Sequence, residues 1–110
     1  MAKKSVMLVA AVECPPALED KFNKWSDEVH MPMLFKYKGM QKASRLRLIS
    51  DTESPRYLTI FEFASRADLE AYLKSPERTA AVAEKEETWK SQKYELKWLL
   101  QYEVLKTWQR

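Results

Sequence analysis

The sequence is poor in the residues that most often announce a function. Its 110 residues include one glycine, one cysteine and one histidine. A single glycine argues against a phosphate-cradling loop, which needs backbone able to approach a ligand closely. It disfavours two-residue Asn-Gly hairpins for the same reason. The lone cysteine, Cys14, closes no internal disulfide and suits a reducing cytosol. One Cys and one His fall short of the ligand set of a zinc site, so no metal is expected. No run approaches the roughly 20 apolar residues of a membrane span. The apolar stretch Val6–Val12 is too short for a signal segment with its cleavage site, and Glu13 ends it. These absences predict a cytoplasmic chain with no membrane partner.

An excess of one charge is also missing. Lys+Arg number 19 against Asp+Glu 16, a net charge of +3, and the two signs are interspersed, as in Glu84-Lys85-Glu86-Glu87. Nucleic-acid binders usually gather their basic residues on one face. Here Arg45 and Arg47, alternating along one strand face, make only a weak patch, and no nucleic-acid partner is expected. Aromatic residues are what the chain has in quantity: Trp 4, Tyr 5 and Phe 4. They supply large buried areas and can line a cavity or a subunit interface. The hydrophobic share of 45% is that of a globular protein, and the length fits one domain over 1–110.

Periodicity divides the chain into alternating elements. Ser5–Val12 reads as a buried central strand stopped by Glu13-Cys14-Pro15-Pro16. A helix is expected from Pro16, where proline is well placed at a first helical position. Its buried stripe is Leu18, Phe22, Trp25 and Val29, and Pro32 predicts an end or bend near His30. Met33–Lys38 reads as a short helical turn or loop stopped by Gly39, and Met40–Ile49 as a second strand. Arg56–Phe63 is the third, with Tyr57, Thr59, Phe61 and Phe63 on one face and Leu58, Ile60 and Glu62 on the other. Ser65 is a good N-cap for a helix over Arg66–Lys74. Ser75-Pro76 starts another, about Glu77–Ser91, and the core of Tyr94–Trp108 reads as a fourth strand. The order is β-α-β-β-α-β. It predicts an α+β ferredoxin-like fold, with helices on one face of a four-stranded antiparallel sheet. Apolar residues on the second face need a cover, and a second copy of the chain would supply it.

One segment is more specific. Phe22-Asn23-Lys24-Trp25-Ser26-Asp27-Glu28-Val29-His30-Met31-Pro32 resembles the FxxWxDxxHxP segment of the EthD-like branch of the dimeric α+β barrel superfamily. Lys38-Gly39-Met40 stands where that branch carries a PGF turn, and the strands at Ala43–Leu48 and after Pro55 are similar to its pattern. The resemblance implies a homodimer whose two sheets pack face to face as a barrel, with a ligand cavity between sheet and helices in each subunit. Related branches include cofactor-free monooxygenases, isomerases, cyclases and haem-handling enzymes, so the fold does not fix the reaction.

His30 leads the candidates for chemistry. An imidazole titrating near 6.5 suits proton abstraction from an activated carbon or hydroxyl. On an α-helical wheel it flanks the buried stripe beside Asn23 and Ser26. Ser26 at i−4 or Asp27 at i−3 would hydrogen-bond and orient it. The structural alternative is a capping histidine near a helix C-terminus. A Cys14–His30 nucleophilic pair is conceivable, but a cysteine next to a buried strand is most often packing. Asn23, Trp25, Tyr37, Tyr57, Phe61 and Trp98 are expected at a wall for a small apolar or aromatic ligand. Three functions follow from the sequence. The first is a cofactor-independent isomerase, cyclase or lyase working by His-assisted proton transfer on a small cyclic or aromatic metabolite. The others are a cofactor-free monooxygenase and a non-catalytic small-ligand or accessory protein.

Overall fold

The computed structural model describes residues 5–90, 92 and 94–110. The basic Met1–Lys4 and the expected helix end at Ser91 lie outside the described residues. The first strand, β1 (Val6–Glu13), ends at the Cys14-Pro15-Pro16 run. A continuous helical stretch follows. It opens as a 3₁₀ turn at Pro16–Leu18, becomes α1 (Glu19–Trp25), widens into a π-helical segment at Ser26–His30, and closes as α2 (Met31–Leu34). Then come β2 (Met40–Arg47), β3 (Tyr57–Phe63), α3 (Arg66–Leu73), α4 (Pro76–Thr88) and β4 (Glu95–Glu103).

The strands form one antiparallel sheet in the order β2-β3-β1-β4. This is the expected ferredoxin-like topology, with the Val/Ala-rich first strand at the centre. Both downstream helices begin as their sequences dictate. The Ser65 hydroxyl accepts from the Asp68 amide at 3.2 Å, and the Ser75 hydroxyl from the Arg78 amide at 3.1 Å. Each satisfies one amide that a helix start leaves without a partner.

The sequence suggests an end or bend near His30; the helix does not end there but widens at Ser26–His30 and runs on to Leu34. In an α-helix the proline ring meets the carbonyl four residues back. Here the Met31 amide donates to the Ser26 carbonyl, five residues back, so the turn before Pro32 is already widened. The single glycine is used for close approach. A Cβ at Gly39 would come within 2.5 Å of the Tyr37 ring.

The helices cover one sheet face. Val6 and Leu8 pack with Leu34, Phe61, Phe63, Leu69 and Tyr72 in one core cluster. Val12 packs with Cys14, Phe22, Trp25, Tyr57 and Trp89 in a second. Strand alternation turns Val9, Ala11, Leu58 and Ile60 to the opposite face, beside Leu46, Trp98 and Leu100. No described element covers that face, and Leu100 is 44% exposed there.

Candidate functional site

A cavity of about 130 Å³ separates the two core clusters on the helix-covered side of the sheet. Its floor follows from residue size. On β1, small Ala10 sits between Leu8 and Val12, opposite Thr59 of β3 and Leu99 of β4. Large side chains on either side fill the core, and the short pair in the middle leaves a gap.

His30 reaches this gap because of the π-helical segment. With 3.6 residues per turn, positions five apart in an α-helix point about 140° away from each other. The wider turn at Ser26–His30 brings position 30 back over position 25. The imidazole stacks on the Trp25 ring with centroids 4.6 Å apart and planes 19° apart. The Trp25 ring is fixed in turn, since its Nε1–H donates to Glu84 Oε1 at 2.8 Å, and the Thr88 hydroxyl donates to the other oxygen of the same carboxylate. π-helical turns of this kind are rare and often mark functional sites.

The imidazole has an unusual environment. Its Nδ1 is buried and makes no hydrogen bond to any described protein group. Burial disfavours the charged form and pulls the pKa from 6.5 down to about 4; the positive charge of Lys85 adds to this and Glu84 opposes it. At neutral pH His30 is therefore an uncharged imidazole at the cavity wall whose Nδ1 has no partner among the described protein groups.

Trp25 and Phe61 also line the cavity, and so does Ser26, expected to orient His30, although its hydroxyl makes no hydrogen bond to the His30 Nδ1. The other expected residues do different things. Asp27 does not orient His30; it is exposed, and its Oδ1 accepts from Arg45 at 2.6 Å. The π turn, which places His30 over Trp25, removes the α-helical i−3 relationship on which that pairing depended. Asn23 accepts from the other Arg45 nitrogen at 2.7 Å and donates to the Tyr57 hydroxyl at 3.1 Å. Asn23 and Tyr57 thus hold Arg45, which itself reaches the cavity wall. Tyr37 belongs to the first cluster, where its hydroxyl donates to the Asp68 carbonyl at 2.9 Å. Trp98 pairs with Ala11, and alternation puts it on the face away from the cavity. Cys14 is buried, with its thiol pKa raised by burial and by Glu19 and Glu13, the opposite of an activated nucleophile.

Sequence reasoning missed three cations at the cavity, Arg45, Arg78 and Lys85, and the small floor residues Ala10 and Thr59. The signal for two of them was present. Arg78, Val82 and Lys85 are spaced i, i+4, i+7, one stripe of α4. No described residue that lines the cavity is acidic. Among the described residues no cluster of His, Cys, Asp and Glu is suited to a metal ion, and no helix is long and apolar enough to cross a membrane.

Several solved structures share this fold. One is an ethyl tert-butyl ether D (EthD) family protein from Bacillus halodurans, 14% identical, with TM-score 0.70 over 93% of this chain and 99% of the other. A ferredoxin-like DABB family protein from Mesorhizobium loti is 16% identical, with TM-score 0.65 over 96% and 99%. The heme-degrading protein Rv3592 from Mycobacterium tuberculosis is 16% identical, with TM-score 0.64 over 96% and 99%. Among curated proteins none matches the sequence. The fold is therefore the ferredoxin-like fold of these structures, with an EthD family protein among its neighbours. A family match that extends over residues 6–108 fixes the closer kinship: the chain belongs to DUF4286, a family of domains of unknown function.

Proposed function

We propose that the cavity binds a small ring-containing metabolite and that His30 exchanges a proton with it, with no cofactor taking part. The observation that carries this reading is the buried, unpartnered Nδ1 of a neutral imidazole stacked on Trp25. A base with a pKa of about 4 is weak while the cavity holds no anion. Once it takes a proton from the ligand, the imidazolium and the new anion sit side by side where water is excluded, and their attraction offsets the desolvation that keeps the free imidazole neutral. Isomerisation, cyclisation and elimination all require this step.

Size supports a small ligand. An apolar cavity of roughly 150 Å³ takes benzene, so about 130 Å³ suits a single ring. Haem, which the name of the mycobacterial relative mentions, has a macrocycle of four pyrroles and does not fit this volume.

The reading includes a homodimer in which the apolar faces around Ile60 and Leu100 cover each other. It also takes residues 1–110 as one domain, and the cytoplasm as its compartment because Cys14 is a free thiol. The direct test is hydrogen exchange in D₂O, with cyclohexanone as reference probe in a panel of small cyclic ketones, followed by NMR. The native protein should speed deuterium uptake at an activated carbon of a panel member, and His30→Phe should not. Equal rates for the two proteins would refute the role of His30.

The low pKa of His30 also favours a second reading, a non-catalytic ligand-binding protein. Native mass spectrometry separates the two, because a co-purifying compound that survives incubation unchanged supports binding alone.

A further inference from the structure

The helix α4 carries its charges in an order that burial alone does not explain. Of its acidic residues Glu86 and Glu87 are exposed and Glu77 and Glu84 are partly buried off the cavity lining, whereas Arg78 and Lys85 lie partly buried along the cavity wall. Turning cations inward costs free energy unless something pairs with them. On the opposite wall this requirement is met, since Arg45 is paired with Asp27 and Asn23. Among the described residues no carboxylate lies within ion-pair distance of Arg78 or Lys85. Glu84, next to Lys85 in sequence, is engaged by Trp25 and Thr88. Among the described residues the Lys85 ammonium lies over the Tyr94 ring, 5.7 Å from its centroid.

We propose that the ligand of this cavity carries an oxyanion, a carboxylate or its equivalent, received by Lys85 with Arg78 farther along the same stripe of α4. The inference rests on the cavity being the ligand site, and it narrows the ligand to a small apolar ring bearing one anionic group. The lining divides accordingly. Leu8, Phe61 and Leu99 face the ring, and the α4 cations receive the charge. A bound oxyanion would neutralise Lys85 beside His30, so that recognition and proton transfer would meet at one end of the cavity. The other charges near that end, Glu84 and the Arg45–Asp27 pair, are already committed to protein partners.

Isothermal titration calorimetry with benzoate and its neutral counterpart benzamide tests this. Benzoate should bind at least about tenfold tighter than benzamide, the ratio expected for one charge-assisted hydrogen bond. High salt should shrink that preference, Lys85→Gln should remove most of it, and Lys85→Arg should restore it. Circular dichroism melting of Lys85→Gln checks that the fold is intact, and Arg78→Gln is the second variant should that one melt early. Benzamide binding as tightly as benzoate overturns the oxyanion inference and leaves the cavity reading standing. Benzoate affinity unchanged in both glutamine variants overturns it equally. If neither compound binds, the ring-binding reading falls along with it.

Discussion

Replacing His30 by Phe should make the protein more resistant to mild acid, and the size of the effect follows from the burial of the imidazole. The folded state holds the His30 pKa at about 4, against 6.5 for a free histidine. That difference amounts to about 3 kcal/mol in favour of the neutral ring. In the unfolded chain the imidazole takes up a proton as the pH falls through 6.5, while the folded state refuses it until about 4. Over that window the unfolded state binds more protons, so stability falls as pH falls, by about 1.4 kcal/mol per pH unit for this one group. Above about pH 7 the residue contributes nothing to the pH dependence. A phenyl ring at position 30 keeps a flat partner for Trp25 and does not titrate. Urea unfolding of both proteins at about pH 7 and about pH 4 isolates the effect, because the carboxylates are common to both and cancel in the difference. The native protein should lose about 3 kcal/mol more than His30→Phe between the two conditions. Equal losses would refute the assignment of a desolvated, neutral imidazole.

The same geometry makes further predictions. Removing the Lys85 charge with Lys85→Gln should raise the His30 pKa, yet leave it below 6.5 because burial is the larger cause; NMR of the single imidazole reads this directly. Ser65→Ala and Ser75→Ala should each cost about 1 kcal/mol in urea unfolding, since each hydroxyl caps a helix. Leu100→Asp places a charge on the uncovered sheet face without entering the core. It should turn a dimer into a folded monomer in sedimentation velocity, and a variant that sediments like the native protein would argue against that face as the interface.

The fold was legible in the sequence because strands and helices impose different periods. The alternation of Tyr57, Thr59, Phe61 and Phe63 marks the helix-facing side of β3, and these residues lie there. The serines before α3 and α4 announce both helix starts. The site was less legible for three physical reasons. An α-helical wheel assumes one turn size, so it sets His30 beside Ser26 and Asp27 and misses its stacking on Trp25. A register shift between Ala11 and Val12 separates Leu96, which lines the cavity, from Trp98, which faces away. Burial of cations runs against the general trend. Arg78 and Lys85 therefore read as part of a solvated charge run, although their spacing places them on the stripe with Val82.

The central claim is that His30 is a desolvated, neutral base at the cavity wall, and one titration tests it. Because the chain has one histidine, its imidazole resonances in a ¹H–¹⁵N spectrum need no assignment. Followed against pH, they should show a midpoint near 4, with neutral-ring shifts throughout the physiological range. A midpoint near 6.5 would mean a solvated surface histidine and would contradict the account.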